Sequence, residues 1–159
     1  MESPDAAVAE RGDAWGDVRD VLARLLAGME FGEVIELAAA GSFYLEVGRM
    51  PSEIWLLASG PPTPELQVGQ VDPVLRKHLR EIGFRRPDKD KPSWWVAVDM
   101  PAEPDVLAQA AGQAVRALQS VDGVTLPDDL VWSHIVAKPG TRELAGQLGI
   151  PRSPSQNAG

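Results

Sequence analysis

Between Glu33 and Ser59 three β-forming segments follow one another so closely that their connections dictate the topology. "EVIEL" (Glu33 to Leu37) alternates charged and aliphatic residues, as a half-buried strand does. "FYLEV" (Phe43 to Val47) and "EIWLLAS" (Glu53 to Ser59) are richer still in β-formers. The intervening "AAAGS" and "GRMPS" leave loops of roughly four to six residues, the length of hairpin connections. An antiparallel meander is therefore predicted, with Pro51 interrupting the ladder before the third strand.

Helical periodicity brackets this meander. Trp15, Val18, Leu22, Leu25, Leu26 and Met29 recur at three- and four-residue spacing, so a helix is predicted from a cap at Asp13 to about Met29. Residues 1–12 are small and polar and read as a flexible N-terminus. "GPPTPE" (Gly60 to Glu65) cannot continue a strand, because its prolines lack backbone donors. Asp72-Pro73 then opens a short helix carrying Val71, Leu75, Leu79 and Ile82, with Gly83 as its left-handed end and Phe84 packing back. A last long helix follows Pro104 with Leu107, Ala111, Ala114, Leu118 and Val121 on one face, and Gly123 ends it. "LPDDLVW" (Leu126 to Trp132) reads as a proline turn leading to an apolar anchor or short strand. Thr141 to Leu148 can form a further short helix, and "PRSPSQNAG" is expected to be disordered.

The fold class that results is α+β. An antiparallel sheet of about four to five strands packs with two or three helices, in the order α-β-β-β-α-β-α. One domain is expected at 13–138, followed by a partly disordered extension at 139–159.

One stretch, "PDKDKPSWWVAVDMP" (Pro87 to Pro101), joins a charged loop to an aromatic strand. Side chains alternate across a strand, so Trp94 and Trp95 must point to opposite faces of the sheet. One can enter the core while the other stands outside. A core role for both would need the sheet covered on both sides.

Composition and motifs exclude several functions. The net charge is −8, which disfavours nucleic acid and anionic lipid as partners. The arginines are scattered apart from Arg85-Arg86, a pair suited to an acidic contact or to a solvated turn. With no cysteine there is no disulfide, thiolate site or cysteine nucleophile. Neither a secretory signal nor a membrane span is visible, so a cytoplasmic location is expected. His78 lies beside Lys77 in a helix, and His134 merely follows Ser133, without a nucleophile elbow. Asp88 and Asp90 alternate with Lys89 and Lys91, while Asp128 and Asp129 follow a proline, where acids satisfy turn donors. No phosphate loop, dinucleotide fingerprint, zinc motif or calcium loop is present. No catalytic residue, metal or cofactor is expected.

Element order and spaced residues resemble the TY-Chap family, domains related to type III secretion chaperones and YbjN. Such domains open with a tryptophan-led helix, here "AWGDVRDVLARLLAGM", and continue into a "VQF"-like strand, here "FYLEV". A helix ending in L-x-x-L-G-W-x-x-P follows, here within "HLREIGFRRPDKDKPSWW", with Phe84 in place of tryptophan. Their closing TLR-x-V-x-G-x-x-x-P-x-x-L is matched by "ALQSVDGVTLPDDL", with Gln119 in place of arginine. The resemblance spans roughly residues 13 to 132. It implies an α/β sandwich that binds peptide or protein, often as a dimer, with no catalytic residues, and an actinobacterial source.

A non-enzymatic, chaperone-like domain binding a protein or peptide client is the resulting expectation. Candidate contact residues are Trp55, Trp94, Trp95, Phe43, Arg85 and Arg86, rings on strands that can stack on a partner and a cationic pair beside them. Free strand edges could add main-chain pairing, and the acidic surface favours a basic client. The alternatives are an acidic inhibitor or immunity-type protein that neutralises a toxin or enzyme, and an enzyme of unrecognised type. A toxin gene alongside would favour the inhibitor, and carboxylates in a deep apolar pocket the enzyme.

Overall fold

A computed structural model describes residues 4–39, 43–60 and 71–154. The elements are α1 (Pro4–Gly28), β1 (Val34–Ala39), β2 (Phe43–Arg49), β3 (Glu53–Ser59), α2 (Pro73–Ile82), β4 (Trp94–Asp99), α3 (Pro104–Gln119), a 3-10 turn (Pro127–Asp129), β5 (Val131–Val136) and α4 (Pro139–Ala145). The strands form one sheet in the order β4-β3-β2-β1-β5, with every neighbouring pair antiparallel. The expected meander is its centre. The apolar anchor after Pro127 is the outer strand β5, laid beside β1.

Period-two alternation divides the sheet into two faces. Ile35, Leu37, Phe43, Leu45, Val47, Ile54 and Leu56 are fully buried, and they share one core with Leu22 and Leu26 of α1 and Ala111 and Leu118 of α3. Small residues on α3 (Ala110, Ala111, Ala114, Ala117) are buried, which lets α3 lie close to its neighbours. α1 packs on α3 and α4, and α2 packs on α3, so the helices make a single layer on that face. The architecture is a two-layer sandwich.

Local signals set the short helix α2. Asp72 Oδ1 accepts the N–H groups of Val74 and Leu75, both at 3.0 Å, and Pro73 occupies the first turn. Gly83 closes the helix at φ 115°, and Phe84 N–H returns to Leu79 O at 2.9 Å.

Two helix starts differ from expectation. α1 begins at Pro4, within the stretch 1–12 read as flexible, so Asp13 is an interior residue and no cap. Proline is tolerated in a first turn, and the alanine-rich "DAAVAE" propagates helix onward. The last helix starts at Pro139, which places Thr141 inside it as a buried residue and not as its cap. Pro151–Ser153, the start of the stretch "PRSPSQNAG", lie against β5: Trp132 N–H donates to Pro151 O and Ser153 N–H to Trp132 O, both at 2.8 Å. Ala145, Leu148 and Ile150 join the main core, which is why this segment is held. Most of the "GPPTPE" turn lies outside the described residues.

Glu33 ties the turn ahead of β1 to the segment that follows β5. Its buried carboxylate accepts Glu30 N–H at 2.6 Å through Oε2 and Lys138 N–H at 2.7 Å through Oε1. The residue stands just ahead of β1, one position before the strand begins, although its place in "EVIEL" predicts the first strand residue.

Candidate functional site

The second face of the sheet carries Val34, Glu36, Tyr44, Glu46, Trp55, Leu57, Trp95 and Ala97, all half-buried. Among the described residues no helix lies over it. Strand register sets what stands beside what. Glu36 pairs with Glu46, Glu46 with Leu57 and Leu57 with Trp95, so these four form one row across β1, β2, β3 and β4. A second row runs Val34, Gly48, Trp55, Ala97. Trp55 and Trp95 are thus diagonal neighbours, within reach of each other's partners.

Two carboxylates directly opposite each other repel. Burial raises the Glu36 carboxyl above its ordinary value of 4.5, and the neighbouring Glu46 charge pushes it the same way. The middle of this face is therefore an acidic pair set in apolar and aromatic surface.

The loop ahead of β4 adds cations. Asp88 Oδ1 accepts the N–H groups of Asp90 and Lys91 at 2.8 Å, and Asp88 N–H donates to Lys91 O at 2.8 Å, closing a tight turn. Those donors, Lys91 N–H first, hold the exposed Asp88 carboxyl below its ordinary value. The turn delivers Lys91 onto the tryptophans: its Nζ lies 4.6 Å from the Trp55 ring centroid and 4.4 Å from that of Trp95. Arg85 Cζ is 5.2 Å from the Trp95 centroid. The indole N–H groups are satisfied elsewhere, Trp55 donating to Glu53 Oε1 at 3.2 Å and Trp95 to Arg86 O at 2.9 Å. Their π faces are left for the cations.

Of the six candidate contact residues, the sheet brings Trp55, Trp95 and Arg85 together. Phe43 (0% exposed) and Trp94 (4%) belong to the core, so of the candidate rings these two are not presented at the surface. Both fall on the alternation phase that the helices cover. Arg86 is exposed and turns to a different place, an open cleft of about 760 Å³ shared with Arg76, Lys77, Arg80 and Trp94. The cations are thus less scattered than they look along the sequence. Arg76, Lys77 and Arg80 sit within one turn of α2, and that spacing is the signal that could have found the cleft.

Both sheet edges are blunted, against the expectation of free pairing edges. On β4, Arg85 and Trp95 exchange main-chain hydrogen bonds of 2.8 and 3.1 Å. On β5, Trp132 is bridged to Arg152, whose guanidinium lies 5.3 Å from the Trp132 ring centroid. An arginine-bearing segment covers each edge at a tryptophan, a familiar protection against edge-to-edge association.

The remaining acid and base candidates do not assemble into a site. Ser133 and His134 point to opposite faces of β5. His134 lies beside Trp132, ring centroids 6.3 Å apart, and burial followed by the Arg142 and Arg152 charges lowers its pKa. Asp129 Oδ2 accepts Thr125 N–H at 2.8 Å and Leu126 N–H at 2.9 Å, as a turn-capping acid does. Among the described residues, no group of three or more His, Asp or Glu is placed to hold a metal ion, and no helix is long and apolar enough to cross a membrane.

A two-layer α+β sandwich of this element order is consistent with a type III secretion chaperone-like fold. The chain belongs to the family described as T3SS (YopN, CesT) and YbjN peptide-binding chaperone 3, whose model matches residues 7–135. No curated protein and no solved structure matches it.

Proposed function

We propose that the chain binds an extended segment of a client protein on the open sheet face and makes or breaks no covalent bond in doing so. The carrying observation is the row Glu36, Glu46, Leu57, Trp95, with Trp55 beside it: apolar rings and a carboxylate pair on a surface that no described helix covers. Burial of client side chains there contributes about 25 cal/mol per Å² of apolar area. Rigid rings supply contact area with little conformational entropy to lose. The acidic pair favours a basic client over an acidic one.

The functional unit is the domain at 13–138, with the segment from 139 bracing it, and its place of work is the cytoplasm. Self-association is assigned to the exposed Phe31, Ile135 and Val136. Val136 pairs with Val34, so Ile135 and Val136 lie at the end of the sheet that the turn carrying Phe31 enters.

Calorimetric titration of short extended peptides into the wild type and Leu57→Asp tests the binding reading. Binding to the wild type, and its loss in a variant that keeps its circular dichroism spectrum, is expected. Equal binding by both proteins would remove the open face from the function.

A further inference from the structure

Lys91 occupies a place where a bound cation would sit. Its ammonium lies 4.4 Å from the centre of one indole and 4.6 Å from another, inside the roughly 6 Å range of cation–π attraction. Among the described residues no carboxylate is within ion-pair distance of it. Its tether is the loop from Pro87 to Pro92, closed by the Asp88 turn and otherwise exposed, so Lys91 can leave without disturbing the sheet.

We propose that the Trp55–Trp95 pair is a receptor for a lysine or arginine side chain of the bound peptide, and that Lys91 is the chain's own occupant, displaced when a peptide docks. This deepens, and rests on, the reading of the open face as the peptide-binding surface. Two observations fix the chemistry of the occupant. Both indole N–H groups are already satisfied, by Glu53 and by the Arg86 carbonyl, so what the pair offers is its π faces, which select cations over anions. On the same row stand Glu46 and Glu36, two and three strands from Trp95, or about 10 and 14 Å at ordinary strand spacing. An extended peptide advances about 3.4 Å per residue, so side chains four apart on one face are about 14 Å apart. A segment with basic residues at positions i and i+4 and an apolar residue at i+2 places one cation between the tryptophans, the apolar side chain near Leu57 and the second cation at the glutamate pair. The ligand class is an extended basic-apolar peptide.

The test uses the whole chain and two probes: the peptide acetyl-Ser-Lys-Thr-Val-Thr-Lys-Ser-amide, and the same peptide with norleucine for both lysines. The indole N–H resonances of Trp55 and Trp95 are followed by NMR during titration. The lysine probe is expected to shift both resonances. Lys91→Ser should tighten it roughly three- to tenfold by freeing the place that Lys91 holds against both rings, with Arg85 still on Trp95, whereas Lys91→Arg leaves its affinity near that of the wild type. The norleucine probe should bind more weakly and gain nothing from Lys91→Ser. If both probes bind alike and neither responds to Lys91→Ser, the face binds peptides but the pair is no cation receptor, and this inference falls while the proposed function stands. If neither probe moves the indole resonances even in Lys91→Ser, both fall. Resonances that shift with protein concentration alone would mean that a second copy fills the receptor, which also overturns the inference.

Discussion

Glu36 and Glu46 face each other across β1 and β2 in the middle of the uncovered sheet face. Such a pair opposes folding, and a chain that only had to fold would do better without it. Its presence fits a surface that meets a cationic partner.

The cost of that pair has a definite pH dependence. The Glu36 pKa is raised in the folded protein, so the folded state holds its proton more tightly than the unfolded state does. Below the ordinary value of 4.5 both states are protonated and there is no penalty. As pH rises through the raised folded value the penalty appears, and it is complete above it. Glu36→Gln should therefore raise stability at pH 7 by about 0.5 kcal/mol and leave it unchanged near pH 3. Urea denaturation at the two pH values measures both.

Glu33 acts in the opposite sense. Its buried carboxylate receives two main-chain N–H groups, one from Glu30 in the same turn and one from Lys138, far along the sequence. Glu33→Ala leaves both donors without their acceptor and should cost about 3 kcal/mol, while Glu33→Gln, retaining one acceptor oxygen, should recover part of that. The shift in urea midpoint at constant slope checks it.

Gly83 couples α2 to α3. A Cβ added there would come within 2.8 Å of Gln113 Nε2, which donates to Ile82 O, and the residue's φ of 115° is strained for any side chain. Gly83→Ala should destabilise by about 1–2 kcal/mol. Thermal unfolding followed by circular dichroism reads the change.

The edge of β5 is covered at Trp132 by Pro151 to Ser153. A chain ending at Ile150 keeps its core residues but bares that edge, and it should self-associate more strongly than the full chain. Sedimentation at matched concentrations compares the two. Equal masses would show that the bridge does not guard the edge.

Features set by neighbouring residues were legible in the sequence, and those set by distant ones were not. The caps of α2 lie within a few positions of the helix, and the alternation of β4 forces Trp94 and Trp95 apart whatever surrounds them. Alternation does not say which face the helices cover, so it does not separate Phe43 and Trp94 from Trp55 and Trp95; the helix layer does. The Lys91 contact needs β4 to pair with β3 across an intervening helix, so sequence neighbours give no hint of it. The edge covers at Trp95 and Trp132 depend on Arg85 and Arg152, placed there by tertiary packing.

Photo-crosslinking on the two layers tests most directly where a client is held. Benzoylphenylalanine is placed at Tyr44 on the open sheet face, or at the exposed Arg24 on the helical layer, and crosslinked peptides are sequenced from cells making the full chain. Crosslinks to extended apolar segments carrying lysine or arginine, formed at position 44 and absent at position 24, are the predicted result. Crosslinks at position 24 alone, or none at position 44, would contradict binding on the sheet.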